Sequence, residues 1–162
     1  MKASYTATDF LPLLAVFACV FAATFLFGLY TGAEGIRWMA LFMGFFFLVF
    51  GLFKVWNLRG FAEAYRVYDL LAKRSTFYAY LYPFIELALA VLYLGGFFLL
   101  FTNIVTLIVM LVSALGVFLQ LRKGEEIPCA CLGTVFVIPM TWVTLGEDVL
   151  MAGMAGVMLV VL

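Results

Sequence analysis

Residues 77–121 read FYAYLYPFIELALAVLYLGGFFLLFTNIVTLIVMLVSALGVFLQL and carry a single charged side chain, that of Glu86. The polar pair Thr102-Asn103 divides this stretch into two apolar segments, Phe77–Phe101 and Ile104–Leu121. Each is about 18–25 residues long, the length that an α-helix needs to cross a bilayer at a rise of about 1.5 Å per residue. Because the break between them is short, the sequence predicts an antiparallel pair of membrane-spanning helices.

Three further apolar segments of similar length flank this pair: Phe10–Tyr30, Trp38–Trp56 and Thr141–Leu162. The chain of 162 residues is 68% apolar and 11% charged, with a mean hydropathy of +1.23, whereas soluble domains are about 45–50% apolar and about 25% charged. A soluble core of this length would not bury so much apolar surface. The sequence therefore predicts an all-α membrane protein with one transmembrane domain over residues 1–162, in which the first segment is an uncleaved helix.

The stretch between the second and third predicted spans, Asn57–Thr76, is mixed in polarity. Apolar side chains recur there at spacings of three and four residues, and charged side chains recur on the opposite side. This pattern indicates an amphipathic helix over about 58–74, lying in the membrane interface as a connector or as a cover over a site. The apolar positions are Leu58, Phe61, Tyr65, Tyr68 and Ala72, and the charged ones are Arg59, Glu63, Arg66 and Lys73.

Basic residues are distributed unequally between the two ends of the predicted helices. All except Arg37 fall on the side of the N-terminus, which the positive-inside rule assigns to the cytoplasm. We therefore predict a bacterial inner-membrane protein with a cytoplasmic N-terminus and a periplasmic C-terminus. No basic run is suited to a nucleic-acid backbone, so nucleic acid is not an expected partner. The residues on the cytoplasmic side are Lys2, Lys54, Arg59, Arg66, Lys73, Arg74, Arg122 and Lys123, with Lys54 expected to reach the interface.

The loop before the last span, residues 122–140, contains the thiol pair Cys129 and Cys131 between Pro128 and Gly133. Proline restricts the backbone and glycine relaxes it, so this turn is suited to aim both sulfurs in one direction. The pair can cycle between dithiol and a strained, easily reduced disulfide. It can also bind a soft metal ion such as Cu(I) or Hg(II), or serve as two small buried apolar side chains.

The location of this loop decides which compartment the thiols meet. The predicted topology places the loop on the cytoplasmic side, where thiols are kept reduced unless a partner acts on them. Its apolar run Thr134–Met140 is too short to span the bilayer. A re-entrant loop, buried in protein or lining a wet cavity, is therefore an alternative.

Glu86 is ionisable and lies deep inside the third predicted span. A charge at such depth costs at least ~2.5 kcal/mol on insertion scales, so Glu86 is a candidate site residue, protonated or hydrogen-bonded, or else a structural polar clamp. Pro83, one turn earlier, frees a backbone carbonyl. Glu147 and Asp148 near the start of the last span complement the helix N-terminus, or Glu147 supports the site. Hydroxyl partners are available from Tyr65, Tyr68, Tyr78 and Tyr82.

Soft-metal transport is the alternative use of the sulfur atoms. Cys19, near the middle of the first span, is either a packing residue or a third sulfur beside Cys129 and Cys131. Methionines that share one helical face with Glu147 are either core filler or a path for Cu(I). The chain contains no histidine, which excludes His-ligated haem and a histidine base. The methionines are Met151, Met154 and Met158.

Two stretches resemble the MauE/DoxX group of small redox-associated membrane proteins, over roughly residues 40–160. The first, GLFKVWNLRGFAEAYRVYDLLAKRSTFYAYLYPFIELALAVLYL, contains the Tyr82-Pro83-x-x-Glu86 set. The second, IPCACLGTVFVIPMTWVTLGED, contains the C-x-C-x-G motif. Further residues that carry the resemblance are Lys54, Phe61, Tyr68, Pro139 and Glu147.

The resemblance implies a four-helix membrane bundle, here with the first segment as an additional helix. It also implies a redox-active or metal-handling thiol site. MauE-type proteins are implicated in methylamine utilisation, where they support disulfide formation in a periplasmic dehydrogenase. DoxX-type relatives are linked to quinone-coupled sulfur oxidation.

Three functions fit these features. The first is thiol–disulfide chemistry on a thiol-containing redox partner, with Cys129 and Cys131 as the dithiol and Glu86 as a proton-accepting or polar group. No catalytic base is defined, so whether the protein is itself an enzyme stays open. The second is transport of Cu or Hg ions, exchanged with a metal-carrier protein. The third is a structural subunit of a larger membrane complex. The lipid bilayer is the partner that composition requires.

Overall fold

The computed structural model describes residues 11–123, 128–129, 138–139 and 142–162. Within these ranges, five α-helices have the length and apolar composition needed to cross a membrane. A shorter helix lies between the second and third of them. The predicted all-α membrane architecture is therefore confirmed. The spanning helices are α1 (Leu11–Thr31), α2 (Ile36–Trp56), α4 (Thr76–Gly95), α5 (Leu99–Lys123) and α6 (Trp142–Val161), and the short one is α3 (Leu58–Tyr65).

Helices α2, α4, α5 and α6 form the bundle, and α1 is added to it mainly through contacts with α2. The most extensive contacts join α2 to α4 and α5 to α6. Two glycines let α2 approach α4 closely, as small residues do in membrane bundles. A Cβ atom at Gly44 would lie 2.8 Å from the side chain of Leu94, and one at Gly51 would lie 2.9 Å from that of Leu87.

The outer surface of the bundle is apolar, and the residues between the helices form a packed core. Large side chains such as Phe25, Phe84 and Ile108 are exposed on the outside, whereas Met43 and Phe47 are fully buried. Soluble proteins rarely expose extended apolar areas. The surface is therefore of the kind that faces lipid.

The turn between α4 and α5 lies at residues 96–98, so the predicted break at Thr102-Asn103 is wrong. Gly96 ends α4 with a φ of 71°, in the left-handed region that glycine adopts without strain. The guanidinium of Arg37 donates hydrogen bonds to backbone carbonyls in the last turn of α4, where a cation also complements the helix dipole.

The polar pair Thr102 and Asn103 lies inside α5 and is fully buried. The Tyr93 hydroxyl of α4 donates a hydrogen bond of 2.7 Å to Asn103 Oδ1. The Thr102 hydroxyl donates one of 3.1 Å to the Phe98 carbonyl. Because buried polar groups need such partners, these residues mark a contact within and between helices and not a break in the chain.

The interfacial helix predicted over about 58–74 begins as expected but ends at Tyr65. Beyond it, Asp69 Oδ1 accepts hydrogen bonds from the backbone N–H groups of Leu71 and Ala72, at 3.0 and 2.8 Å. Such bonds stabilise turns in place of helical backbone bonds. The apolar stripe still faces inward, with Phe61, Tyr65, Tyr68 and Ala72 buried and Arg59, Glu63, Arg66 and Lys73 exposed.

Two short strands belong to the loop that contains the thiol pair. Strand β1 (Pro128–Cys129) pairs antiparallel with β2 (Ile138–Pro139), with Cys129 opposite Ile138. β1 also contacts α3, which places the Cys129 backbone at the end of the bundle where α3 lies. Cys131 and Gly133 lie outside the described residues, so re-entry of this loop stays a prediction.

Candidate functional site

Side chains from each of the helices α2 to α6 converge on one cavity of about 30 Å³. This volume holds about two water molecules, since one needs roughly 10–15 Å³. The cavity lies toward the end of the bundle where α3 joins α2 to α4. Its polar lining consists of Lys54, Tyr65, Tyr68, Tyr82, Glu86, Ser113, Thr144, Glu147 and Asp148.

A buried ion pair joins α2 to α4 in this cavity. Lys54 Nζ lies 2.5 Å from Glu86 Oε1, and the two side chains are 8% and 2% exposed. The Lys54 ammonium also lies 5.0 Å from the ring centroid of Tyr82 and 5.7 Å from that of Phe61, which is a cation–π arrangement. Lys54 thus turns inward and does not reach the interface as predicted, because the carboxylate and the ring faces compensate for the loss of water.

Two further carboxyl groups enter the cavity from α6. Ser113 of α5 donates a hydrogen bond of 2.8 Å to Asp148 Oδ2. Glu147 is 8% exposed, and its Oε1 has no hydrogen-bond partner among the described residues. Neither residue lies in the first turn of α6, so the charge preference of a helix N-terminus alone does not account for them.

Helix α3 and the turn after it close the cavity. The ring of Tyr65 lies 4.6 Å from that of Tyr82 and 5.0 Å from that of Phe61. The turn rests on α5 at Gly116, where a Cβ atom would lie 3.0 Å from the Tyr68 carbonyl oxygen. Burial raises the pKa of Tyr65 well above its ordinary value. Its hydroxyl is therefore a neutral part of the cavity cover.

The structure brings several of the predicted site residues together. Glu86, Tyr68, Tyr82 and Glu147 all line the cavity, and Pro83 lies one turn before Glu86 in α4. The backbone of Cys129 lies against α3, whereas the positions of Cys131 and Gly133 are outside the described residues.

Cys19 is not part of this group. It is exposed on α1 and lines a surface groove between α1 and α2. In the part of the chain that the structure describes, no group of three His, Cys, Asp or Glu side chains could hold a metal ion. Met151 and Met158 are buried in the core, as methionine filler is. A soft-metal site at the C-x-C pair stays a prediction, because Cys131 lies outside that part.

Sequence reasoning missed two polar interactions of the site, the ion pair of Lys54 with Glu86 and the hydrogen bond of Ser113 with Asp148. A signal for the first is present in the sequence. Lys54 and Glu86 have opposite charges and lie within adjacent predicted spans, where burial of either alone is costly. The sequence contains no comparable signal for the Ser113–Asp148 hydrogen bond, because serine occurs on many helix faces.

A comparison with protein families gives a match that covers most of the chain. The family model described as methylamine utilisation protein MauE matches residues 33–161. The matched region contains α2 to α6 and the loop with the thiol pair, and it leaves α1 outside, as expected for an additional helix. No match is found among curated proteins or among solved structures. Because the family model matches most of the chain, this membrane protein belongs to the MauE family.

Proposed function

We propose that this protein supports thiol–disulfide exchange on a partner protein in methylamine utilisation, with Cys129 and Cys131 as the exchanging pair. The family description supports the process. The observation that carries the chemistry is the contact between β1, which includes Cys129, and α3, which closes the buried charged cavity. Charged groups inside a membrane domain are costly and are functional candidates by default, and β1 adjoins the part of the bundle that contains them.

The exchange needs the oxidised Cys129–Cys131 pair as the electron acceptor and two thiols of the partner as the donors. A partner thiolate attacks one sulfur of the Cys129–Cys131 disulfide and forms a mixed disulfide, while the other sulfur leaves as a thiolate. A second partner thiolate then attacks the mixed disulfide and releases the first sulfur. Two electrons pass to the pair, and the two protons that the partner thiols lose balance those that the pair gains.

Glu86 has a positioning role in this proposal. Its carboxylate neutralises Lys54 at 2.5 Å and ties α2 to α4 beneath α3. Because the aromatic side chains of α3 pack over the same ammonium and over Tyr82, the ion pair fixes the helix that β1 contacts. Loss of Glu86 is therefore expected to alter the reactivity of the pair indirectly.

Full-length protein in lipid nanodiscs, with Cys19→Ser so that alkylation reports on the pair alone, tests the exchange. After oxidation, incubation with a reduced dithiol peptide is expected to make both sulfurs alkylatable together while the peptide gains a disulfide. Cys131→Ser and Cys129→Ser should each prevent this two-electron transfer. Thiols that stay equally alkylatable after every oxidant would overturn the proposal, and retention of Cu(I) by such thiols would favour soft-metal binding.

The end of the bundle where α3 and β1 lie is proposed to face the cytoplasm of a bacterial cell. Lys54 is buried in the cavity and does not bear on orientation, but the other basic residues on this side still outnumber Arg37. In cells, an impermeant maleimide should reach Cys129 only after the inner membrane is opened. Labelling from the periplasm in intact spheroplasts would contradict this orientation and leave the exchange chemistry untouched. The basic residues are Lys2, Arg59, Arg66, Lys73, Arg74, Arg122 and Lys123.

A further inference from the structure

Glu147 is the carboxyl group of the cavity that no neighbour in the described residues neutralises. The residue is 8% exposed, and its Oε1 accepts no hydrogen bond there. The one cation in the described cavity lining, Lys54, is bonded to Glu86. The neighbouring carboxylate of Asp148 has the Ser113 hydroxyl as a donor. Among the described residues, Glu147 therefore forms no ion pair, and its Oε1 has no hydrogen-bond donor.

A buried carboxylate without a partner is strongly disfavoured, whereas a neutral carboxylic acid can be accommodated. Glu147 also borders the 30 Å³ cavity, which has space for water. Water at that position would accept a proton from Glu147 or return one to it. These are two separate observations: Glu147 Oε1 has no hydrogen-bond partner among the described residues, and the residue borders a cavity that can hold water.

We propose that Glu147 is the proton-exchanging group of this cavity, neutral at rest and in exchange with water inside it. The groups that face it from the elements packed around it all belong to the same cavity, and Ser113 from α5 does not titrate. They are Lys54 from α2, Tyr65 from α3, Tyr68 from the turn after α3, Tyr82 and Glu86 from α4, and Asp148 from α6.

Infrared spectroscopy of the full-length protein in lipid, at neutral pH in light and in heavy water, tests the protonation. Wild-type protein is expected to show a carboxylic-acid carbonyl band that shifts in heavy water and is lost in Glu147→Gln. The exposed Glu63 provides the matched control, since Glu63→Gln should keep the band. The inference would be overturned if wild-type protein lacked the band or if the band persisted in Glu147→Gln. It would also be overturned if the band were lost only in Asp148→Asn.

A stability measurement gives a second readout. Glutamine resembles a neutral glutamic acid, so Glu147→Gln should keep the wild-type unfolding temperature at neutral pH, whereas Glu86→Gln should lower it. If the unfolding temperature fell equally in Glu147→Gln and Glu86→Gln, the inference would be overturned, because the fold would then require a negative charge at Glu147. If the band is present in Cys129→Ser and wild-type thiols do not exchange, only the proposed function fails. If exchange occurs without the band, only the role of Glu147 fails.

Discussion

Lys54 and Glu86 neutralise each other inside the bundle, so removal of one leaves a buried, unpaired charge. We expect Glu86→Gln to lower the free energy of unfolding by about 3–5 kcal/mol. The double variant Lys54→Met/Glu86→Leu should recover most of this loss, because it removes both charges. Denaturant unfolding of the purified protein in detergent, followed by circular dichroism, measures both changes.

The matched control is the exposed pair of Arg59 and Glu63, whose side chains are 82% and 64% exposed. Glu63→Gln should change the free energy of unfolding by less than about 1 kcal/mol, because solvent screens surface ion pairs. If Glu63→Gln and Glu86→Gln lowered the free energy of unfolding equally, the buried Lys54–Glu86 pair would stabilise the fold no more than the exposed pair does.

Tyr65 predicts a pH dependence of stability. Its pKa is raised in the folded protein by burial, so above about pH 10, the pKa of an unfolded tyrosine, the folded state holds a proton that the unfolded state has lost. Stability from this group is therefore fully present below that pH and is lost as the pH rises. Tyr65→Phe should make the alkaline loss of stability less steep.

Unfolding measured across the alkaline range checks this slope. Tyr30, which is 87% exposed, provides the control, since Tyr30→Phe should leave the slope as in wild-type protein. If Tyr65→Phe and wild-type protein lose stability at the same rate as pH rises, the Tyr65 hydroxyl is not shielded by the cover of the cavity.

Helix α2 depends on glycine where it meets α4. At Gly44, a Cβ atom would lie 2.8 Å from the Leu94 side chain and 3.1 Å from its backbone nitrogen. We expect Gly44→Ala to lower the free energy of unfolding by about 1–3 kcal/mol, because the added methyl group overpacks this contact. Gly153 of α6 has no atom within 4 Å of such a Cβ, so Gly153→Ala should be neutral or stabilise by up to about 1 kcal/mol. Thermal unfolding of both variants in detergent makes the comparison, and similar losses in the two would contradict the proposed contact.

At the scale of elements, composition determined the spans well and their ends poorly. A run of apolar residues identifies a helix that can cross lipid, but it continues past Gly96 into the next helix without a change of polarity. The polar residues Thr102 and Asn103 predicted a break because their partners are not evident from the sequence: Asn103 bonds to the Tyr93 hydroxyl of another helix, and Thr102 bonds to the Phe98 carbonyl. Asp69 differs, because its partners are local: its side chain accepts hydrogen bonds from the backbone of Leu71 and Ala72 and stabilises a turn where the periodicity predicted a continuing helix.

At the scale of the whole molecule, the sequence identified Glu86 and Glu147 as site candidates because ionisable groups are rare within spans. It did not indicate that they share a cavity. The apolar faces of five similar helices give little information on which helices become neighbours, so the convergence of Lys54, Glu86 and Asp148 depends on packing that periodicity does not encode. Lys54 shows this most clearly. Its position along α2 is compatible with a side chain that reaches the interface or one that points into the bundle, and the position of α4 determines which of the two occurs.

The added helix α1 offers a prediction for the molecule as a whole. It lies outside the region matched by the family model and packs mainly on α2. Gly32 and Gly35, in the turn between α1 and α2, have positive φ and open space around them, so a protease site inserted there should be tolerated. After cleavage in the membrane, we expect α2 to α6 to stay folded, because the Lys54–Glu86 pair and the contacts of α5 with α6 do not involve α1.

The ring of Phe17 in α1 does lie 5.8 Å from that of Phe46 and 6.0 Å from that of Phe50, and both of these line the cavity. Cleavage should therefore lower the unfolding temperature, but by less than Glu86→Gln does in the uncut protein. Circular dichroism should show that the cut protein keeps its helicity, and adding Glu86→Gln to the cut protein should lower its stability further. These two results would show that the bundle keeps its ion pair without a covalent link to α1. Collapse of helicity on cleavage would instead make α1 an integral fifth member of the bundle, since dispersion contacts are the main force between helices in lipid.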